Sequence, residues 1–168
     1  MSTNLFDIPL PETDWEKGDD AFPATEASLS GDRRTEARVC AVQVLFAARK
    51  MNEPVDEVAA EFLADVKARK ADAALFAEIV AEAGEGAVRY RELIGAHMLD
   101  EWPLERLDPV LYALLWAACA ELSVRPDLPV KVVVNEFLNI AKGFASKPAE
   151  VGFVHVVLDR VAGKIRGV

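Results

Sequence analysis

From Arg33 onward apolar residues recur every three or four positions, the period of a helix that turns one face toward a core. Ala37, Cys40, Ala41, Val44, Leu45 and Ala48 make the first stripe, which Asn52 and Pro54 end. A second stripe, Val55, Val58, Ala59, Phe62, Leu63 and Val66, stops in the polar, basic run Lys67 to Lys70. A third runs through Leu75, Phe76, Ile79, Val80 and Ala83 and continues past Gly84 and Gly86 into Val88, Leu93, Ile94 and Met98, with a break or kink predicted at the glycines. Asp108-Pro109 is the clearest helix start: aspartate can cap free amides, and proline at the first helical position gives up no needed donor. Val110, Leu111, Leu114, Leu115, Ala118 and Leu122 follow, and the prolines at 126 and 129 end the element. Another helix carries Val130, Val133, Val134, Phe137, Ala141 and Phe144; a last one, opening near Pro148, carries Val151, Val154, Val157, Leu158, Val161 and Ile165. Only Val130 to Val134 could be claimed by a strand, and its continuation at helical spacing favours helix. The pattern predicts an all-α chain.

Residues 1–31 show no such period. They carry Asp7, Glu12, Asp14, Glu16, Asp19, Asp20 and Glu26 against Lys17, with prolines at 9, 11 and 23, and read as a disordered acidic arm before a single helical domain over residues 32–168. The arm changes the meaning of the net charge of −9, which would otherwise argue against a partner recognised by its phosphates. Much of the negative balance sits in the arm, and the folded part is closer to neutral. Attached directly before Arg33, the arm is expected to lie across a basic face and compete there with such a partner. The chain is 168 residues long, with 52% hydrophobic and 28% charged residues, a globular composition with no apolar run near the roughly 20 residues that cross a bilayer. The N-terminal residues lack a basic stretch followed by an apolar one, so a cytoplasmic location without membrane contact is expected.

Candidate chemistry is sparse. Cys40 and Cys119 lie among alanines, valines and leucines and read as buried thiols; with His97 and His155 as the only histidines, a structural zinc site is not expected, nor is any other metal or cofactor. Gly84-Glu85-Gly86 lacks the strand, lysine and third glycine of a phosphate cradle and reads as a helix break. Glu78 and Glu82, four apart, read as a solvated helix face, and His155 with Asp159 as a surface pair. No nucleophile stands with a base, so the chain is not expected to be an enzyme. Trp102, before Pro103, is expected to anchor a loop to the core. Trp116, with Leu111 and Tyr112, widens the apolar stripe of its helix, which is then either central in a bundle or at an interface.

Arg33-Arg34-Thr35-Glu36-Ala37-Arg38-Val39-Cys40-Ala41-Val42-Gln43-Val44-Leu45-Phe46 resembles the opening helix of the NusB family. Further pieces follow in family order: Trp102 with Leu104 to Asp108, Glu121-Leu122, Leu128 to Val132, Asn135-Glu136, Ile140 to Lys142, Phe153-Val154 and Val157 to Arg160. The resemblance covers essentially everything after the arm. It implies a compact bundle of about seven helices in two subdomains that binds single-stranded boxA-type RNA together with the ribosomal protein NusE, within an antitermination complex on RNA polymerase, and without catalysis.

Single-stranded RNA is held by basic groups on phosphates and by stacking on splayed bases. Arg33, Arg34, Arg38, Lys131, Lys142, Lys147, Phe153 and Arg160 supply those chemistries at positions the resemblance places toward RNA. Arg38 and Lys131 read equally as solvated helix faces, and Phe153 as core. Phe46 stands where the family has a tyrosine on the side toward NusE, and Leu111, Tyr112 and Trp116 are the further candidates for a protein partner. The chain departs from the family at Gly152, His155 and Val156, which replace a lysine, an asparagine and a small residue. It departs again at Ala145 and Glu82, where glycine is usual, and at Leu111 and Trp116, where charged residues are. These departures open a second reading, a NusB-fold paralogue with weakened RNA binding that acts through protein contacts at Leu111, Tyr112 and Trp116 or as a homodimer.

Overall fold

The structure is a computed structural model that describes residues 32–167; the acidic arm predicted for residues 1–31 lies outside the described residues. Among these there are eight α-helices and one short 3-10 helix and no strand, in keeping with the periodicity.

Helix α1, Arg33–Met51, starts where the Asp32 carboxylate accepts the Arg34 amide at 2.8 Å and stops at Asn52, whose left-handed φ of 55° asparagine tolerates better than most side chains. The second stripe, predicted as one helix, is two: α2, Val55–Glu61, and α3, Leu63–Ala68, meet at Phe62. There the amide is shared between the carbonyls of Val58 and Ala59, which tightens the turn without leaving the helical region, and no residue in the stripe signals it. Helix α4, Ala73–Glu85, is capped by Asp72 on the Leu75 amide at 3.1 Å; α5, Ala87–Ala96, follows after Gly86. The predicted break is real, and a side chain at its glycine would have no room. A Cβ at Gly86 would lie 2.6 Å from the Tyr90 ring.

After the 3-10 turn Leu104–Arg106 comes α6, Pro109–Val124, begun by the Asp108 carboxylate on the Val110 amide at 2.8 Å with proline in the first turn. Helices α7, Val130–Phe144, and α8, Pro148–Arg166, complete the chain. Helix α6 is the axle: α1, α4 and α5 pack on one side of it and α7 and α8 on the other. The two groups correspond to the expected subdomains, and they share one contiguous core. Arg166 locks the far end, donating to the carbonyls of Leu122 (2.7 Å), Arg125 (2.8 Å) and Leu128 (2.9 Å) where α6 ends. Among the described residues no helix is long and apolar enough to cross a membrane.

This packing corrects part of the expected protein-partner surface. Leu111 and Tyr112 are 1% exposed and Trp116 is 0% exposed, because α6 is surrounded on all sides. The Trp116 indole N–H donates to the Ala83 carbonyl of α4 at 3.0 Å. Of the two readings of an apolar-all-round helix, central position holds, and these three side chains have no face to offer a partner. Both cysteines are buried as expected; burial pushes the Cys40 thiol up to about 11 and Cys119 up to about 12.

Candidate nucleic-acid interface

The first turn of α1 carries Arg33 and Arg34, both exposed. Arg33 is tied to the α3–α4 connection: its Nε donates to the Lys70 carbonyl at 3.3 Å, and its own carbonyl accepts the Asp72 amide at 2.9 Å. The backbone of exposed Lys70 therefore stands beside Arg33, a further basic residue that the run Lys67 to Lys70 hinted at but that sequence spacing could not assign. An acid tempers the cluster. Asp127 lies within the field of Arg34, and the paired hydrogen bonds from Arg125 hold its carboxyl down at about 2.

Arg38, one turn further on, is not part of this surface. It is 2% exposed and clasps the fully buried Glu121 of α6 through Nε and Nη2, both at 2.8 Å, while Nη1 lies 3.7 Å from Glu136 of α7. Its expected contact with RNA is corrected to a structural one: the guanidinium points into the core because its acid partner is there. The same Glu136 lies 3.4 Å from the Thr35 hydroxyl, so α7 is held against the start of α1.

Helix α7 is amphipathic: Val133, Val134, Phe137, Leu138, Ile140 and Ala141 face the core, and Lys131, Val132, Asn135, Asn139 and Lys142 are exposed. Eleven residues separate Lys131 from Lys142, about 16 Å along the helix axis. Asn135 and Asn139 lie between them, and with Lys70 they are the side chains here that the site prediction omitted. The α7–α8 corner brings Lys142 and Lys147 together along a groove of about 370 Å³ that Ala145, Ser146, Pro148 and Val151 also line. One Glu150 oxygen fixes the corner by accepting from the Ser146 amide (2.9 Å) and hydroxyl (3.0 Å) and from the Lys147 amide (3.0 Å). Ala145 sits at φ −70°, a conformation alanine adopts freely, so glycine is not needed there.

Two further candidates fall elsewhere. Phe153 is 3% exposed and stacks on Trp102, ring centroids 4.6 Å apart, so it serves the core and anchors the loop before the 3-10 turn. Its expected stacking on a base is corrected on that ground. Arg160 is exposed but reaches back to the His97 carbonyl at the end of α5, at 3.3 Å. The departing positions Gly152, His155 and Val156 are all exposed on α8; His155 pairs with Asp159 at 3.3 Å, and a Cβ at Gly152 would meet nothing within 4 Å. Glu82, in place of glycine, accepts from the Tyr90 hydroxyl (2.6 Å) and Arg89 (2.7 Å), joining α4 to α5. Phe46 is 5% exposed and lines a groove of about 340 Å³ with Gln43, Ala47, Lys50, Met51, Phe62 and Arg69, the one predicted partner residue at an opening to solvent.

The helical core thus carries basic and amide side chains on the α1–α7 flank and a groove at the other end of α1. Residues 35–163 match the NusB family. The chain is 37% identical over 153 residues to transcription antitermination protein NusB of Sinorhizobium fredii, covering 86% of this chain and 95% of that one. It is 37% identical over 143 residues to that of Nitrobacter hamburgensis, covering 80% and 89%. Against T. maritima NusB the TM-score is 0.61 at 24% identity, over 76% of this chain and 89% of that chain, a likeness of fold. The chain belongs to the NusB family.

Proposed function

We propose that this chain is a non-catalytic transcription antitermination factor that binds single-stranded boxA-type RNA together with ribosomal protein NusE, as part of the antitermination complex on RNA polymerase that supports rRNA transcription. The observation that carries the reading is the flank formed by the α1 start and α7. Arg33, Arg34, Lys131, Lys142 and Lys147 are all exposed, with Asn135 and Asn139 between the lysines. Lysine and arginine neutralise phosphates, and side-chain amides hydrogen-bond the edges of unpaired bases. Phe46 and its groove are the proposed seat of NusE. The role assigned to Leu111, Tyr112 and Trp116 in the paralogue reading has no exposed surface to support it.

Lys142 and Lys147 are far enough from the core to be removed without disturbing it. The K142A/K147A protein is expected to unfold as the parent does and to bind boxA RNA more weakly, with the slope of log K against log salt reduced by about 1.4, two single-strand contacts' worth. Fluorescence anisotropy at several salt concentrations reads both quantities. An unchanged slope would remove these lysines from the site.

A further inference from the structure

The last turn of α1 contains a buried charge that no carboxylate of the described residues pairs with. The Arg49 side chain is 7% exposed, and its guanidinium lies over the Tyr112 ring, 4.9 Å from the centroid. Arginine 91, half-buried on α5, comes close enough for its charge to lower the Arg49 pKa further, after burial has already lowered it. Four polar atoms are buried there without a hydrogen-bond partner: Nε and Nη1 of Arg49, Nε of Arg91 and the Tyr112 hydroxyl. No carboxylate of the described residues pairs with either arginine, whereas the other deeply buried arginine, Arg38, has two. Tyr112 cannot serve as the counter-charge, because burial pushes its ionisation well above the ordinary range.

Two arginines whose charges act on one another, one of them over the ring of a tyrosine whose hydroxyl has no partner, are matched by one planar or tetrahedral oxyanion. Arginine's fixed fork of donors suits such a group better than any single acceptor, and a buried guanidinium without one is strongly unfavourable. We propose that Arg49, Arg91 and Tyr112 form a receptor for one oxyanion group, a carboxylate or a phosphate, entering past the solvent-exposed part of Arg91. The site is separate from the RNA flank. Arg49 stands sixteen residues beyond Arg33 on the same helix, about 24 Å along its axis. It lies one turn from Phe46, so an acidic group seated here would sit next to the apolar groove.

The probes are inorganic phosphate, acetate and chloride, added separately to the full chain at matched ionic strength, with the arginine Nε–Hε resonances followed by NMR. Phosphate or acetate is expected to shift the Arg49 and Arg91 signals saturably while leaving Arg38 unmoved. Response to phosphate alone marks a tetrahedral anion site; response to both marks a general oxyanion site. Arg91→Met, at a half-buried position, and Tyr112→Phe, which keeps the ring, are both expected to fold and to raise the half-saturation concentration by about tenfold or more. Equal shifts with chloride, no saturable shift with either oxyanion, or unchanged titrations in both variants would overturn the proposal.

Discussion

Glu121→Ala is expected to lower the unfolding free energy by about 3–5 kcal/mol, the cost of leaving a buried guanidinium without its partner. Glu121 is fully buried and meets Arg38 in a two-pronged pair with both contacts at 2.8 Å. Removing the carboxylate leaves a charge that water cannot reach with only the longer, partly exposed contact to Glu136 at 3.7 Å. The double variant Arg38→Met with Glu121→Leu removes both charges together and is expected to recover most of the loss, since a buried ion pair is often no more stabilising than well-packed apolar side chains. Urea unfolding of the two proteins separates these outcomes. A loss under about 1 kcal/mol for Glu121→Ala would mean that Arg38 reaches solvent. The pair also matters for position: through Arg38, Glu121 and Glu136 the start of α1, the last turn of α6 and α7 are joined, so the basic residues of α1 and α7 stand on one frame.

Trp116→Ala is expected to cost about 3–5 kcal/mol, the range for deleting a large buried aromatic side chain. The indole is 0% exposed, bonds the Ala83 carbonyl at 3.0 Å and lies 6.2 Å from the Tyr112 ring. Its removal opens a cavity where α4 packs on α6. An interface tryptophan would behave in the opposite way, leaving the unfolding free energy nearly unchanged while altering association. Denaturant unfolding together with sedimentation of the same sample tells the two apart. Stability within about 0.5 kcal/mol of the parent would restore Trp116 to a partner-binding surface.

Local features of the sequence were enough to find most helices. Asp108-Pro109 marks the start of α6 because cap and proline act within one turn, and Gly84 with Gly86 mark the break between α4 and α5 because glycine weakens a helix interior. Features that depend on distant partners were hidden. Arg38 reads as a solvated basic residue until Glu121, 83 positions away, is placed beside it. Trp116 carries the same ambiguity, since a helix apolar on all sides is equally fit for a core and for an interface until its neighbours are known. The joint at Phe62 left no trace because the apolar stripe runs straight through it. In the candidate site, Lys142 and Lys147 were named by the resemblance, and the corner between α7 and α8 brings them to one groove. Phe153 and Arg160 were assigned by their order in a resemblance, and the fold sends one to Trp102 and the other to His97.

The central claim is that the α1–α7 flank binds boxA RNA with NusE, and a titration of labelled boxA RNA with the full chain, alone and with NusE, at several salt concentrations tests it most directly. Binding that NusE strengthens, with log K falling linearly against log salt, is the predicted result. No binding in any combination, or binding indifferent to salt, would contradict it.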